Sequence, residues 1–353
     1  MGLEDLRRRI DGIDDAILDL LEERAEVAAA VALEKRATQK ATYDPERERR
    51  VIERLTARAA GKFPKEAIGS VYRQVMSACL ALQEPTRVAY VGPEGAAGHE
   101  AARDIFGLSV RYLEVRAPSG VADAVARGDA SYGVVPLETA SDGAVPQTLD
   151  ALIERDVHIR AEHVLPASQY LLSRAAVGVP LERIHGPAAA LAACRVFLAA
   201  HHGGAELREA TSPAEAAREA AADPRGAAVG SRLLAELYEL RVIAERIQER
   251  SDEATRFVVL GREDAPATGR DRTTLVFSLK DTPGALSRAL DTFSRESLSL
   301  SRIESRPGKM RPFDYVFFVE VGGHRSEATV ARALATLSSE CPWVKVLGSY
   351  PRA

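Results

Sequence analysis

The stretch from Leu3 to Ala37, LEDLRRRIDGIDDAILDLLEERAEVAAAVALEKRA, holds no proline and one glycine, Gly12. Leu6, Ile10, Ile13, Ile17, Leu20 and Leu21 recur at three- and four-residue spacing, the mark of a single amphipathic helix face. At 1.5 Å per residue such a helix spans roughly 50 Å, more than the width of a small domain. It cannot bury that stripe alone, so it needs a partner chain or a long return helix. A break follows at Thr42-Tyr43-Asp44-Pro45, where Asp44 suits the cap and Pro45 the first helical position. A second helix reads on to about Ala60, Gly61, Phe63 and Pro64 punctuate, and a third covers about Lys65 to Leu82.

From Pro85 the pattern changes. Arg87-Val88-Ala89-Tyr90-Val91 is a short buried strand, and Gly92-Pro93-Glu94-Gly95 turns into a helix. Strand-like runs at Ser109 to Val115, Tyr132 to Pro136, Gln169 to Leu172, Ala227 to Gly230 and Arg256 to Leu260 alternate with helices. That alternation predicts α/β structure with largely parallel sheets. A polar stretch from Gly261 to Arg272 reads as a linker. The last eighty residues run strand, helix, strand, strand, helix, strand, from Thr274-Leu275-Val276-Phe277 to Val344-Lys345-Val346-Leu347, the order of the ferredoxin-like α+β sandwich. The expected organisation is therefore multidomain: an all-α domain over 1–85, a two-lobed α/β domain over 86–262 and a small α+β domain over 271–353.

At 353 residues the chain is too long for one core. It is 46% hydrophobic and 28% charged with a net charge of −4, which gives no reason to expect nucleic acid or a membrane surface as partner. Cys79, Cys194 and Cys341 are far apart and odd in number, so neither a disulfide framework nor a zinc site is expected. The seven histidines show no ligand spacing, and His201-His202 reads as a surface pair. No basic-then-apolar leader or membrane-length apolar run is evident, and the expectation is a cytoplasmic protein handling small molecules without metal or cofactor. Ala and Arg are abundant, so runs such as Ala188 to Ala193 carry less information than they would elsewhere.

The N-terminal helices carry cations at particular positions. Arg24 and Lys35 are eleven residues apart and return to nearly one helix face, while Arg7 lies about 100° away from it. Asp44, Arg47 and Glu48 gather at the start of the second helix, and Gln83 closes the third. A solvated coiled-coil arm could carry similar charges, and periodicity alone leaves both readings open. The arrangement Leu6-Arg7 … Ile10-Asp11-x-Ile13-Asp14 … Leu20-Leu21-x-x-Arg24 … Lys35 … Tyr43-Asp44-x-x-Arg47-Glu48 resembles the all-helical chorismate mutase family over residues 3 to 85. The resemblance implies a cofactor-free rearrangement of chorismate to prephenate with catalytic residues Arg7, Arg24, Lys35, Asp44, Arg47, Glu48 and Gln83. Arginines suit a dicarboxylate because they clamp each carboxylate in paired hydrogen bonds. By the resemblance, Arg24 and a partner protomer's copy of Arg7 are the clamps, and Lys35 and Gln83 donate to the ether oxygen. Arg47 and Asp44 orient the ring end, and Glu48 meets the hydroxyl. Cys79 stands where that family often has serine. A homodimer or higher homo-oligomer is implied.

Residues 87 to about 260 resemble prephenate dehydratase, and the whole chain resembles bifunctional chorismate mutase–prephenate dehydratases. The signposts are Tyr90-Val91-Gly92-Pro93-Glu94-Gly95, Tyr132-Gly133-Val134-Val135-Pro136, Thr148-Leu149-Asp150 and Thr255-Arg256-Phe257. The resemblance implies a cleft between two lobes, with Thr255 as donor to the departing hydroxyl, Arg256 as cation for the carboxylates, and Glu138 and Thr139 nearby. Other family positions have changed. Gly95-Ala96-Ala97-Gly98 stands for Gly-Thr-Phe-Ser/Thr, and Glu138-Thr139-Ala140 for Glu-Asn-Ser. Pro187 to Cys194 replaces a run with two glutamines, Ser212-Pro213 replaces Ser-Thr, Arg232 a glutamate and Glu253 an asparagine. At about 1–3 kcal/mol for each lost hydrogen-bonding group, a dehydratase of weak or absent activity is expected. A conventional bifunctional enzyme making phenylpyruvate is the alternative.

Asp281-Thr282-Pro283-Gly284-Ala285-Leu286, with Ile303-Glu304-Ser305-Arg306-Pro307, resembles the ACT regulatory domain. The resemblance implies a phenylalanine site framed by Gly284, Ala285, Leu286, Glu304, Ser305, Arg306 and Pro307, with Phe313 where tryptophan is common. A ligand favouring one dimer arrangement would shift mutase activity by linkage. A mainly regulatory, amino-acid-sensing partner protein is the reading from another class.

Overall fold

In the computed structural model the described residues are 2–37, 45–83, 86–176, 178–308 and 315–352, with the side chains at 35–37, 46 and 83 left aside. They form two compact units, Met1–Arg87 with Ile105–Arg111, and Val88–Asp104 with Tyr112–Ala353.

The first unit consists of α1 (Leu3–Ala37), α2 (Pro45–Arg58) and α3 (Lys65–Gln83), as the punctuation predicted. Ala32 of α1 is buried, as are Ile68, Met76, Cys79 and Leu80 of α3. The 105–111 segment is held by α3: Ser77 Oγ donates to Phe106 O at 2.6 Å and accepts from Ser109 N at 3.1 Å. The stripe on α1 stays bare, with Leu21 37% and Leu20 64% exposed and Leu6, Ile10, Ile13 and Ile17 between them. Helices of 14 and 19 residues are too short to follow one of 35 along its length.

The second unit opens with β1 (Arg87–Val91), α4 (Ala97–Phe106), β2 (Arg111–Val115), α5 (Pro118–Arg127), β3 (Tyr132–Thr139), β4 (Gly143–Ala144), α6 (Pro146–Glu154) and β5 (His158–Pro166). Its second lobe holds β6 (Tyr170–Ser173), β7 (Arg183–Gly186), α7 (Ala188–Ala193), α8 (Arg195–His202), β8 (Glu206–Glu209), α9 (Pro213–Ala222), β9 (Gly226–Gly230), α10 (Arg232–Leu237) and β10 (Arg241–Ala244). The chain then returns along β11 (Ala254–Gly261). The C-terminal part is β12 (Asp271–Ser278), α11 (Ala285–Arg295), β13 (Leu300–Pro307), β14 (Tyr315–Gly322), α12 (Ala328–Glu340) and β15 (Trp343–Pro351).

Three sheets result, ordered β2-β1-β3-β11-β5, β10-β6-β9-β7-β8 and β13-β14-β12-β15. The first two are mixed, which corrects the expectation of largely parallel sheets. β1 and β3 are parallel, but β11 runs antiparallel to both β3 and β5 because it carries the chain back from the second lobe. The third sheet is antiparallel throughout.

The expected linker is also corrected. Gly261 ends β11 and Arg272 lies in β12, and between them Ala265 is buried against the shared core. The buried Asp271 accepts from Thr268 and Gly269, and Asp264 meets Arg325 at 2.5 Å. The C-terminal sheet shares one apolar core with the first lobe, Val276, Phe318, Leu347 and Tyr350 lying among Leu149, Leu152, Ile159 and Val258. Lys345 Nζ caps α6, donating to Leu152 O (2.9 Å), Ile153 O (3.0 Å) and Arg155 O (2.6 Å).

Candidate active sites

In the helical unit, Arg24 is half-buried between α1 and α3, and its Nη1 donates to Cys79 Sγ at 2.7 Å. Arg24 thus meets the position at which the resembled family often has serine. Arg47 is exposed and Glu48 half-buried on the first turn of α2. Lys35 stands in the last turn of α1 and Gln83 ends α3, one turn beyond Cys79, while Asp44 lies outside the described residues. Arg7 is not brought to Arg24. It lies seventeen residues earlier, roughly 25 Å along the helix axis, with an exposed side chain paired to Glu4 at 3.1 Å.

In the second unit a cleft of about 610 Å³, counting its open mouth, lies between the lobes. One wall is the start of α4 (Gly95, Ala96, Ala97, Glu100), and the other includes Pro187, Ala190, Pro213 and Ser231 from the starts of α7, α9 and α10. Thr255, Ser168 and Gln169 complete its polar lining. Helix N-termini aimed at a cleft favour anions, but the lining carries no Lys or Arg side chain among these residues. Gly98 sits where a Cβ would press into Val91 O, well inside contact distance, so α4 approaches β1 more closely than any side chain there allows.

His99 faces inward from the same turn. Its ring stacks on Tyr90 at 4.6 Å, and its Nδ1 accepts from Gly95 N at 3.2 Å. Burial, with help from Arg103, pushes it down to about 4, so it is neutral at pH 7. Glu100 behaves oppositely. Burial first, then Asp104 and Glu236, push its carboxyl up to about 7. The sequence reading passed over Glu100, although its spacing of three from Ala97 sets both on one helix face.

Of the four residues expected at this cleft, only Thr255 lines it. Arg256 does not line it. Consecutive strand residues face opposite ways, and its guanidinium turns from the cleft into a buried ionic cluster. Nη2 donates to Glu138 (2.7 Å) and Glu320 (2.7 Å), and Nη1 to Glu162 (3.1 Å). Arg272 reaches the same Glu162 at 2.7 Å, and Arg302 lies 3.7 Å from Glu138 and 3.6 Å from Glu320. Burial opposes the Arg256 charge, but Glu320 and Glu162 hold the guanidinium protonated beyond its ordinary range. Glu138 is therefore committed to Arg256. Thr139 pairs with Thr255 across the β3–β11 ladder, and its Oγ1 accepts from Asp142 N at 3.0 Å.

Gly284 has φ +78 and precedes α11, with Ala285 and Leu286 in the first turn. Arg288 Nη1 closes that turn by donating to Pro283 O at 3.1 Å. Glu304, Ser305, Arg306 and Pro307 lie on edge strand β13, whose alternation divides them. Glu304 pairs with Arg302 at 2.6 Å and Arg306 with Asp150 of α6 at 3.4 Å, on the side of the first lobe. Ser305 and Pro307 are exposed, and Phe313 lies outside the described residues. Among the described residues no group of three His, Cys, Asp or Glu side chains could hold a metal, all three cysteines are free and buried, and no helix is long and apolar enough to cross a membrane.

A helical unit carrying spaced cations, a two-lobed α/β cleft and an antiparallel sheet fused to it define a multidomain protein with two candidate active sites. Family comparison gives the same order: chorismate mutase type II over residues 6–84, prephenate dehydratase over 88–265 and the ACT domain over 273–338. The chain belongs to the bifunctional chorismate mutase/prephenate dehydratase family. It is 40% identical to the bifunctional enzyme of Aquifex aeolicus over 99% of this chain and 98% of that one. It is 37% identical to that of Pseudomonas aeruginosa over the same shares. Among solved structures, the prephenate dehydratase of Arthrobacter aurescens in complex with L-Phe matches 76% of this chain and 90% of its own, at 33% identity and a TM-score of 0.67. A quorum-quenching acylase, GqqA, matches 76% of this chain and 98% of its own, at 27% identity and the same TM-score of 0.67.

Proposed function

We propose that this chain rearranges chorismate to prephenate in its helical unit and carries a prephenate dehydratase of weak or absent activity, with an ACT domain that senses phenylalanine. The mutase reading rests on Arg24 held between α1 and α3 beside Cys79, with Lys35, Asp44, Arg47, Glu48 and Gln83 as its companions. A second copy supplies Arg7. The bare apolar face of α1 supports a homodimer, since so long a stripe is unfavourable in water. Chorismate carries two carboxylates and reacts by a pericyclic shift, so two arginine clamps and a donor at the breaking C–O bond are sufficient machinery.

The weak-dehydratase reading is carried by one observation: Ala96, Ala97, Pro187, Ala190 and Pro213 line the cleft, and of the expected donors and cations only Thr255 is there with them. The phenylalanine reading draws on the L-Phe complex of the Arthrobacter relative and on the retained Gly284-Ala285-Leu286 turn. Purified protein given chorismate, with prephenate and phenylpyruvate quantified separately, tests both activities. Prephenate should accumulate with phenylpyruvate trailing far behind.

A fully bifunctional enzyme is the second reading. The 35–40% identity to bifunctional enzymes over nearly the whole chain favours it. Equal rates of both products would establish it over the first.

A further inference from the structure

Aromatising prephenate requires a proton at the ring hydroxyl as it leaves, and the groups lining the cleft leave few candidates for its source. The His99 ring is stacked against Tyr90, and its Nδ1 is occupied by Gly95 N. Arg256 faces the ionic cluster on the other side of β11. Thr255, Ser168 and Ser231 offer alcohols and Gln169 an amide, which can donate hydrogen bonds but do not give up a proton near neutral pH. The remaining lining residue with a transferable proton is Glu100. Its carboxyl has no hydrogen-bond or ion-pair partner among the described residues, unlike the committed carboxylates of Glu138, Glu162 and Glu320.

We propose that Glu100 is the catalytic acid of whatever dehydration this cleft performs, protonating the departing ring hydroxyl of prephenate; this rests on the cleft being the prephenate site. The Glu100 proton passes to the hydroxyl oxygen, the ring C–O bond breaks and water leaves. The bond from the ring to its carboxylate breaks in the same process, releasing CO2, and its electron pair completes the aromatic ring. Prephenate dianion plus one proton thus yields phenylpyruvate monoanion, CO2 and water, and solvent restores the proton to Glu100. No oxidant, reductant or metal enters the balance.

The surroundings suit an acid held in reserve. On its own helix Glu100 sees Asp104, which His163 of β5 approaches at 3.5 Å, and from α10 it sees Glu236, which Arg103 approaches at 3.6 Å. His99 on the same turn is neutral at pH 7 and adds no cation. Burial and those two carboxylates together bring the Glu100 carboxyl to about 7. A bound dicarboxylate adds negative charge and pushes it further the same way, so the acid form dominates when substrate is present. The same residue in a cation-lined cleft would ionise and be of no use as a donor.

The test uses the full chain as wild type, Glu100→Gln and Glu100→Asp, with prephenate as substrate, spontaneous aromatisation subtracted, and pH varied from 6 to 9. Chorismate turnover serves as the control for folding. Glu100→Gln should lose at least about 100-fold in dehydratase kcat, the lower end for removal of a general acid, with KM little changed. The wild-type rate should fall as pH rises past the carboxyl's titration, and the residual Gln rate should be flat. Glu100→Asp should recover part of the loss. A Gln variant with wild-type rate and pH profile overturns the proposal. So does a wild type that binds prephenate by calorimetry but forms no phenylpyruvate above the spontaneous rate. Absence of prephenate binding in every variant would sink the reading of the cleft as well, which separates the two failures.

Discussion

Arg24 and Arg256 look alike in sequence, each a cation inside a family motif, yet the structure puts them to opposite uses. Arg24 lies between two helices with a thiol as its described partner, a weak acceptor that a carboxylate ligand easily displaces. Arg256 is surrounded by Glu138, Glu162 and Glu320 and shares them with Arg272 and Arg302. Both of its terminal nitrogens are already engaged by carboxylates. In the helical unit Arg24 is thus left without a described carboxylate partner, while in the second unit Arg256 joins the first lobe to the C-terminal sheet. What a motif arginine does depends on which way its strand or helix turns it, and on whether carboxylates wait there.

The largest effects should come from breaking that distinction. Arg256→Ala leaves two nearly buried glutamates, Glu162 and Glu320, short of a partner. The expected loss is about 3–5 kcal/mol of stability, as for other broken buried pairs. Chemical unfolding should show it in the second unit, with chorismate turnover at moderate temperature close to wild type. Arg24→Ala should do the reverse. Loss of a preorganised donor costs about 3–4 kcal/mol of barrier, or some 10²–10³-fold in mutase kcat, and the unfolding midpoint should hardly move. Mixing Arg7→Ala with Arg24→Ala protein should restore about a quarter of wild-type turnover if each site draws on both chains of a symmetric dimer. No recovery on mixing would mean that Arg7 serves its own chain or nothing.

The same contrast explains what could be read in advance. The helices α1 to α3 were legible because their apolar residues follow one period and Gly61 and Pro64 mark the break. β1, β3 and β11 were legible as short buried runs. β5 was not, because Arg160, Glu162 and His163 interrupt its apolar pattern, and Glu162 is there for the ionic cluster. β8, Glu206-Leu207-Arg208-Glu209, is an exposed edge strand with no buried face to betray it. The supposed linker failed for the same reason as β5: Asp271 is buried and Asp264 half-buried despite their polar character, Asp271 with partners from turning backbone and Asp264 with Ser349 N and Arg325. At the sites, the Arg24–Cys79 contact joins two helices, so spacing along α1 alone carried no signal of it. The cleft is assembled from six separated segments, so neither the departure of Arg256 nor the arrival of Glu100 had a local signal.

A smaller effect concerns the cleft's own charge. The Glu100 carboxyl lies near 7 when folded against an ordinary 4.5, so the unfolded chain releases its proton first as pH rises. Stability therefore falls between about pH 4.5 and 7 and levels off above, by at most about 3 kcal/mol at 1.36 kcal/mol per unit. Glu100→Gln removes that loss. Denaturant titrations should find wild type and variant equal near pH 4.5 and the variant about 1–3 kcal/mol more stable at pH 8. A gap of the same size at both pH values would mean that shape, not charge, sets the difference.

The smallest expected effect addresses whether hydroxyls on the cleft wall limit the proposed dehydratase. Ala96 precedes α4, its carbonyl already accepting from His99 N and Glu100 N, so it stands at the helix cap. Ala96→Thr supplies a cap oxygen, which stabilises by about 1 kcal/mol, and puts a hydroxyl on the cleft wall. If a lost hydrogen bond limits the dehydratase, phenylpyruvate formation should rise about fivefold, the equivalent of one ordinary hydrogen bond. Gly98→Ser should not help, although it too restores a family residue, because its Cβ collides with Val91 O and must push α4 off β1. A gain from Ala96→Thr alone would show that wall chemistry limits the rate. A gain from neither would move that limit to the backbone position of α4, which no single side chain can restore.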